Sequence, residues 1–130
     1  MGYGGSNPTP FDTPGETDDE NICNGLYSLF EEFEKLEKST PLSILLTHAP
    51  PYNTKADTIE SGVHVGSEGV EKIIKEFQPT VNICGHIHEA ISMDTIGATM
   101  VVNPGMLEEN HAILLEVDEK SKLDVNIIDL

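Results

Sequence analysis

Apolar residues recur at helical spacing in two parts of the chain. Over residues 18–38 they form one stripe opposite a mostly acidic face, which predicts a helix with a cap at Thr17 or Asp18. The stripe consists of Ile22, Leu26, Leu29, Phe33 and Leu36. A second stripe predicts a helix that starts at Gly66 or Ser67 and is closed by a proline. Its members are Val70, Ile73, Ile74 and Phe77.

Short apolar runs without polar alternation predict strands that are buried on both faces. The first such run covers residues 42–46 and the second covers residues 81–84. A polar loop over residues 50–66 and the second helix lie between them, so a right-handed parallel crossover is expected. A meander of antiparallel strands is predicted at 90–96, 98–102, 111–117 and 122–128. The predicted fold class is α/β, with mixed parallel and antiparallel strands.

The length of the chain corresponds to one domain. It has 130 residues, and we expect a single domain over residues 1–130. Glycine, proline, serine and threonine are frequent over residues 1–17, which predicts an irregular arm. The two cysteines, Cys23 and Cys84, do not make a disulfide framework, and no basic leader with an apolar segment is visible. We therefore expect no signal peptide and a cytoplasmic location.

The charge balance excludes some classes of partner. Acidic residues outnumber basic ones by 23 to 7, the formal net charge is −16, and every basic residue is a lysine. Such a surface repels a phosphate backbone, which argues against a protein that binds nucleic acid through basic contacts. The apolar runs are also much shorter than a membrane span. Contact with neither a membrane nor a nucleic-acid backbone is expected.

Three histidines follow the two predicted parallel strands. His48 closes the first run, and His86 and His88 follow the second behind Gly85. Ligands bind beyond the carboxyl ends of parallel strands, so these three side chains are expected at one crevice. Residues two apart in an extended segment share a face, and neutral imidazole is a common metal ligand. A single histidine here is usually only a hydrogen-bonded residue, but three favour a metal site.

Other candidates near these strand ends have simpler interpretations. Cys84 is expected to be a small buried residue, with a thiolate ligand as the minor alternative. His111 is expected at the surface. His64 lies in a glycine-containing loop before the second helix, and a helix N-terminus attracts anions, so His64 is a candidate for the vicinity of the substrate. A mononuclear centre held by three histidines, in a protein of another kind, is a further alternative.

Four segments together resemble a known family of enzymes, the calcineurin-like metallophosphoesterases. They are Thr47-His48-Ala49-Pro50-Pro51, Gly62-Val63-His64-Val65-Gly66-Ser67, Cys84-Gly85-His86-Ile87-His88-Glu89 and Val102-Asn103-Pro104-Gly105. The segment Gly4-Gly5-Ser6-Asn7-Pro8-Thr9-Pro10 is similar to an archaeal or bacterial branch of that family. Order and spacing match over nearly the whole chain. One small departure is Met106, where the family commonly has serine.

The resemblance implies a fold, a reaction and a set of ligands. The implied fold is a β-sandwich of two sheets flanked by helices, and the implied reaction is metal-assisted hydrolysis of phosphate monoesters or diesters. By resemblance, His48 and His86 ligate one metal of a dinuclear centre and His88 ligates the other. Manganese and zinc are the divalent ions expected. No catalytic residue is assigned within this chain.

Three early motifs of that family do not occur in this sequence. They are Asp-x-His, Gly-Asp-x-x-Asp and Gly-Asn-His-Asp/Glu, so the chain resembles the C-terminal half of a family member. Two dications about 3.5 Å apart repel by roughly 19 kcal/mol at an effective dielectric of about 20, and neutral imidazoles do not offset this repulsion. The nearby acids Asp57, Glu89 and Asp94 match no ligand position. The isolated chain is therefore expected to bind metal weakly at best.

Two hypotheses about function follow from this incomplete set of ligands. In the first, the chain is a phosphoesterase that is inactive until a separately encoded N-terminal half, or self-association, completes the site. In the second, it is a truncated, non-catalytic remnant that acts as a binding or assembly module. A sandwich without its early strands also exposes a sheet edge and an apolar face.

Overall fold

Helices and strands alternate along most of the chain in the computed structural model, which describes residues 1–36 and 42–130. Over these residues there are two α-helices and seven strands. In chain order they are β1 (Gly2–Tyr3), α1 (Asp19–Glu34), β2 (Ile44–Thr47), α2 (Glu68–Phe77), β3 (Val81–Ile83), β4 (Ser92–Ile96), β5 (Thr99–Asn103), β6 (His111–Val117) and β7 (Leu123–Asp129). Short 3-10 helices cover Lys55–Asp57 and Leu107–Glu109.

The strands form two sheets. The larger one has the order β1-β2-β3-β5-β4, in which β4 is antiparallel to β5 and the other neighbours are parallel. The smaller one is the antiparallel hairpin of β6 and β7. Since β2 and β3 are parallel neighbours with α2 between them in sequence, the predicted parallel connection is confirmed.

The larger sheet lies between the helices and the hairpin. On one face, α1 and α2 pack on the sheet through Leu45 and a set of helix residues: Ile22, Cys23, Leu26, Phe30, Val70, Ile73 and Ile74. On the other face, Val81 and Val102 of the sheet pack against Val125 of the hairpin. Two sheets with helices on one side agree with the predicted α/β fold with a sandwich of mixed strands.

Side chains cap both helices at their first turns. The Asp18 carboxylate accepts a hydrogen bond from the Asn21 amide at 2.7 Å, and the Ser67 hydroxyl accepts one from the Val70 amide at 3.1 Å. Both starts agree with the prediction. The first helix ends at Glu34, earlier than predicted, because the chain turns there and leaves Leu36 61% exposed. The last two predicted helical positions, 37–38, lie outside the described residues.

No helix within residues 1–36 and 42–130 has both the length and the apolar character needed to cross a membrane.

Strand β2 is not buried on both faces as predicted. Leu45 is fully buried under the helices, whereas the neighbouring Leu46 is 49% exposed on the opposite face. The β6–β7 hairpin covers β3 and β5 on that face, but it does not cover Leu46. Strands β3 to β7 begin and end within two residues of the predicted positions.

The predicted irregular arm contains a short strand. Tyr3 and Gly2 pair in parallel with β2, and the Leu46 amide donates to the Met1 carbonyl at 2.9 Å. The prediction failed because two residues are too few to show a period in the sequence. The rest of the arm is irregular, apart from one isolated bridge between Ser6 and Glu16.

The unequal burial of the two leucines gives a test of the layer arrangement. Leu45→Ala should lower the free energy of unfolding by about 2–5 kcal/mol, because it leaves a cavity between sheet and helices. Leu46→Ala is the matched control and should cost less than about 1 kcal/mol. Urea unfolding followed by circular dichroism measures both. Equal losses in the two variants would contradict the described layers.

Candidate functional site

The carboxyl ends of β2 and β3 bring two histidines together. Beyond the last paired residues of these strands, the Gly85 amide donates to the His48 carbonyl at 3.1 Å. This bond keeps the two chain segments side by side after the strands end. The Nδ1 atom of His86 consequently lies 3.0 Å from the Nε2 atom of His48, with the ring centroids 4.8 Å apart. Two imidazole nitrogens thus converge where the sequence places the crevice.

The backbone at His86 has an unusual conformation. Its φ is +69°, in the left-handed region that residues with a side chain rarely adopt. The Ile87 amide donates to the Gly85 carbonyl at 2.8 Å, so the chain turns tightly around His86. Strained backbone of this kind is frequent at functional sites, where surrounding contacts hold it in place.

The environment of His86 favours the neutral ring. Partial burial lowers its pKa, and the neighbouring His48 and His88 rings lower it further, while the charge of Glu16 acts in the opposite direction. A neutral imidazole has a free lone pair, which is the form that binds a metal ion.

His88 lies at the same cavity but does not join this pair. The segment after β3 is a turn, so the expectation that His86 and His88 share a face as in an extended strand does not apply. His88 is exposed and lines the cavity together with His48, His64 and His86. Over residues 1–36 and 42–130, no group of three or more His, Cys, Asp or Glu residues is arranged to hold one metal ion.

The cavity that contains the histidines has a volume of about 1000 Å³. One wall is formed by the arm over residues 5–15, and the others include Tyr52, Ile59 and Val65. Among the described residues that line it there is no lysine, and the sequence has no arginine. Three carboxylates also line it, those of Asp19, Glu68 and Glu89. Histidines are therefore the basic side chains of this lining.

Glu16 holds the arm in its shape. Its carboxylate accepts hydrogen bonds from the backbone and hydroxyl groups of both Thr9 and Thr13. These bonds, with the Thr9 hydroxyl first, lower the pKa of Glu16 from 4.5 to about 2. Asn7 then ties the arm to the loop before α2, because its side-chain amide donates to the Val65 carbonyl at 3.0 Å.

His64 is held by a carboxylate that the sequence did not single out. The Nδ1 atom of His64 lies 2.7 Å from Oδ1 of Asp57, which is fully buried. The same carboxylate accepts bonds from the backbone amides of Asn53, Thr54 and Gly66 at 2.9–3.1 Å. Asp57 matches no ligand position of the family, so the sequence predicts no role for it, and the glycines on both sides of His64 are the one signal of a tightly shaped loop.

Glycine is required at two positions of the Gly62-Val63-His64-Val65-Gly66 segment, for different structural reasons. Gly62 has a φ of +80° in a tight turn, where its amide donates to the Ile59 carbonyl. A Cβ atom at Gly66 would lie 2.7 Å from both the Asp57 Cβ atom and the Pro50 carbonyl oxygen. Only glycine lets this backbone approach the buried carboxylate and donate its amide to it.

The remaining candidates lie apart from this chemistry. Cys84 is buried, and burial together with the charge of Asp57 raises its pKa to about 12, which disfavours the thiolate that a metal requires. The main interpretation of Cys84 as a buried residue is thus confirmed. His111 begins β6 and is half-buried rather than at the surface, with its Nε2 atom 3.3 Å from Asp129.

Comparison with known proteins identifies the class to which this fold and site belong. The model of the family described as "Metallophosphoesterase, calcineurin superfamily" matches residues 30–127. The match covers well over half of the chain, and the chain belongs to this family.

One curated relative is the uncharacterized protein MJ1162 of Methanocaldococcus jannaschii. It is 44% identical over 108 residues, which are 80% of this chain and 46% of MJ1162. A solved crystal structure matches 97% of this chain and 47% of its own, at 26% identity and a TM-score of 0.68. The crystal structure of TT1561 of Thermus thermophilus matches 96% of this chain and 51% of its own, at 22% identity and a TM-score of 0.56, and supports the fold alone. The chain thus spans about half the length of these proteins.

The low pKa of Glu16 gives a prediction about pH. Since its pKa is about 2 in the folded chain against an ordinary 4.5, the contribution of Glu16 to the arm is complete above about pH 4.5. It should be lost as the pH falls through about 2. Carboxyl-carbon NMR of labelled chain should show a Glu16 midpoint near 2, accompanied by a shift of the Thr9 amide. A midpoint near 4.5 would contradict the hydrogen-bonded arm.

Proposed function

We propose that this chain provides the histidine part of a metal-dependent phosphoesterase site that hydrolyses phosphate monoesters or diesters. His48 and His86 would hold one divalent ion, and His88 would contact a second. The observation that carries the proposal is the 3.0 Å approach of the His48 and His86 ring nitrogens in the lining of the cavity of about 1000 Å³. Membership of the calcineurin superfamily supports the same assignment.

The residues of this chain supply some of the ligands that one divalent ion needs. Two imidazole nitrogens converge, and imidazole suits both manganese and zinc. His88 lines the same cavity without joining the pair, and in the described part of the chain no third ligand completes a group. When bound, such ions supply Lewis acidity and activate water for attack on a phosphate ester. The chain itself orients the two rings and surrounds the ester with the arm and the loop before α2.

Completion of the site requires carboxylates from a second polypeptide segment. The chain matches about half of each relative, and Leu46 lies on the part of a sheet face that the hairpin does not cover. A separately encoded half that carries the early motifs is the partner we propose, and a second copy of this chain is the alternative source. The phosphate ester would bind to the complex of this chain with its partner, and we expect this complex in the cytoplasm.

A non-catalytic role is the second candidate. It is favoured by the observation that, over the ranges 1–36 and 42–130, no set of three metal-binding side chains converges. In this case the chain is a remnant that binds or assembles with other proteins and hydrolyses nothing.

Metal binding by the isolated chain is the first test. Titration with Mn²⁺, followed by electron paramagnetic resonance, should detect one weakly bound ion per chain. His48→Ala and His86→Ala should each weaken this binding by more than about tenfold, because each removes one of two converging ligands. His88→Ala should have a smaller effect, and His111→Ala, which lies on the hairpin, should have none.

Two results would contradict the assignment of these ligands. Binding that survives both His48→Ala and His86→Ala places the ion elsewhere. Equal losses in His48→Ala, His86→Ala and His88→Ala favour a mononuclear centre with three histidine ligands.

Completion of the site is the second test. The chain should not hydrolyse bis(p-nitrophenyl) phosphate with Mn²⁺ alone, but should do so when co-purified with the segment of MJ1162 that lies outside the matched region. His86→Ala in the same complex controls for contaminating phosphatases and should abolish the activity. Activity of the isolated chain that depends on His86 would show that it needs no partner. A stable complex without activity would favour the non-catalytic role.

A further inference from the structure

His64 has one ring nitrogen whose hydrogen is fixed by its surroundings. The Nδ1 atom faces two acceptors, Oδ1 of Asp57 at 2.7 Å and the Thr58 hydroxyl oxygen at 3.3 Å. The Thr58 hydroxyl already donates its single hydrogen to the Thr54 carbonyl at 2.8 Å, so it can only accept from His64. Both neighbours therefore require a hydrogen on Nδ1.

In the part of the chain that the structure describes, the hydrogen bonds of the His64 ring all involve Nδ1, and none involves the other ring nitrogen, Nε2. The His64 side chain is 33% exposed and lines the cavity that His48, His86 and His88 share. The Asp57 carboxylate beside Nδ1 is fully buried, and its other hydrogen bonds come from neutral backbone amides. His64 is the basic side chain in direct contact with this buried charge.

The chemistry of the cavity makes this nitrogen important for an anion. The carboxylates of Asp19, Glu68 and Glu89 line the cavity, and the described lining has no lysine. Beside the proposed metal ions, the histidines are therefore the described side chains of the lining that can offer a basic N–H donor to an anionic phosphate group. An imidazole with a hydrogen on both ring nitrogens can bridge the two anionic groups, since Nδ1–H donates to Asp57 and Nε2–H donates to a phosphoryl oxygen on the other side of the ring.

We propose that His64 is a substrate-binding residue whose Nε2–H donates a hydrogen bond to the phosphoryl oxygens of the ester, and that Asp57 is the positioning residue that orients it. This role deepens the proposed function and rests on it, because it names the contact for the phosphoryl group at the same cavity. It explains why a buried carboxylate, and a glycine without room for a Cβ atom, hold one partly exposed ring in place.

The protonation of His64 can be tested without metal or activity. In a long-range ¹H–¹⁵N NMR spectrum of the histidine-labelled full chain, the neutral form of His64 should carry its hydrogen on Nδ1. Addition of inorganic phosphate should shift the Nε2 signal of His64 in a saturable manner and leave the signals of His111 unchanged. A hydrogen on Nε2 in the neutral form, or an Nε2 signal that does not respond to phosphate, would overturn the proposal.

Matched variants separate binding from folding. His64→Gln should weaken phosphate binding by about tenfold, because it removes a charge-assisted hydrogen bond, while the thermal midpoint shows that the chain stays folded. His111 is not among the residues that line the cavity, so the His111→Gln variant should bind phosphate as the unmodified chain does. Identical phosphate affinities of the two variants would overturn the proposal. Thr58→Val removes the second acceptor of Nδ1 and the hydroxyl bond to the Thr54 carbonyl, but it leaves the Asp57 contact in place and should retain phosphate binding.

A failure of the proposal for His64 can be distinguished from a failure of the proposed metal site. If the unmodified chain binds no Mn²⁺ at His48 and His86 but the Nε2 signal of His64 still responds to phosphate, the metal site alone is overturned. Mn²⁺ binding with no response of His64 to phosphate would overturn the role of His64 alone.

Discussion

The parallel register of β2, β3 and β5 is the constraint on which the candidate site depends. Leu46 pairs with Ile83, and Ile83 pairs with Val102, so the carboxyl ends of these strands lie at one edge of the sheet. The buried amide of Asn82 reinforces this register across β2, since it donates to the Leu45 carbonyl and to the Thr47 hydroxyl. The backbone bond from Gly85 to His48 extends the pairing beyond the strands. A slip of one residue would separate the two histidine rings.

A buried carboxylate organises the other side of the cavity. Burial of an unpaired charge costs much free energy, so Asp57 is stable in its place only because four donors surround it. Three of these are backbone amides, which shape the loop before α2, and the fourth orients the ring of His64. The arm closes the cavity through the hydrogen bonds of Glu16 and through Asn7. Hydrogen bonds thus hold the segments that carry His48, His64 and His86.

Much of the fold and part of the site could be predicted from the sequence. The apolar stripes of α1 and α2 have long, clear periods, and the rule that ligands bind at the ends of parallel strands placed His48 and His86 correctly beside each other. The failures have physical reasons. An aspartate in a polar loop is ordinarily exposed, so the burial of Asp57 depends on backbone amides that no residue pattern reveals. The exposure of Leu46 likewise depends on how far the hairpin reaches.

The central claim is that His48 and His86 converge to bind one divalent ion. Anomalous diffraction from crystals of the chain soaked in Mn²⁺, recorded at the manganese absorption edge, tests this claim most directly. The account predicts a peak within coordination distance of both His48 Nε2 and His86 Nδ1, with His88 not ligating the same ion. A peak at the acidic residues of α1 or α2 with none between the two rings would contradict it.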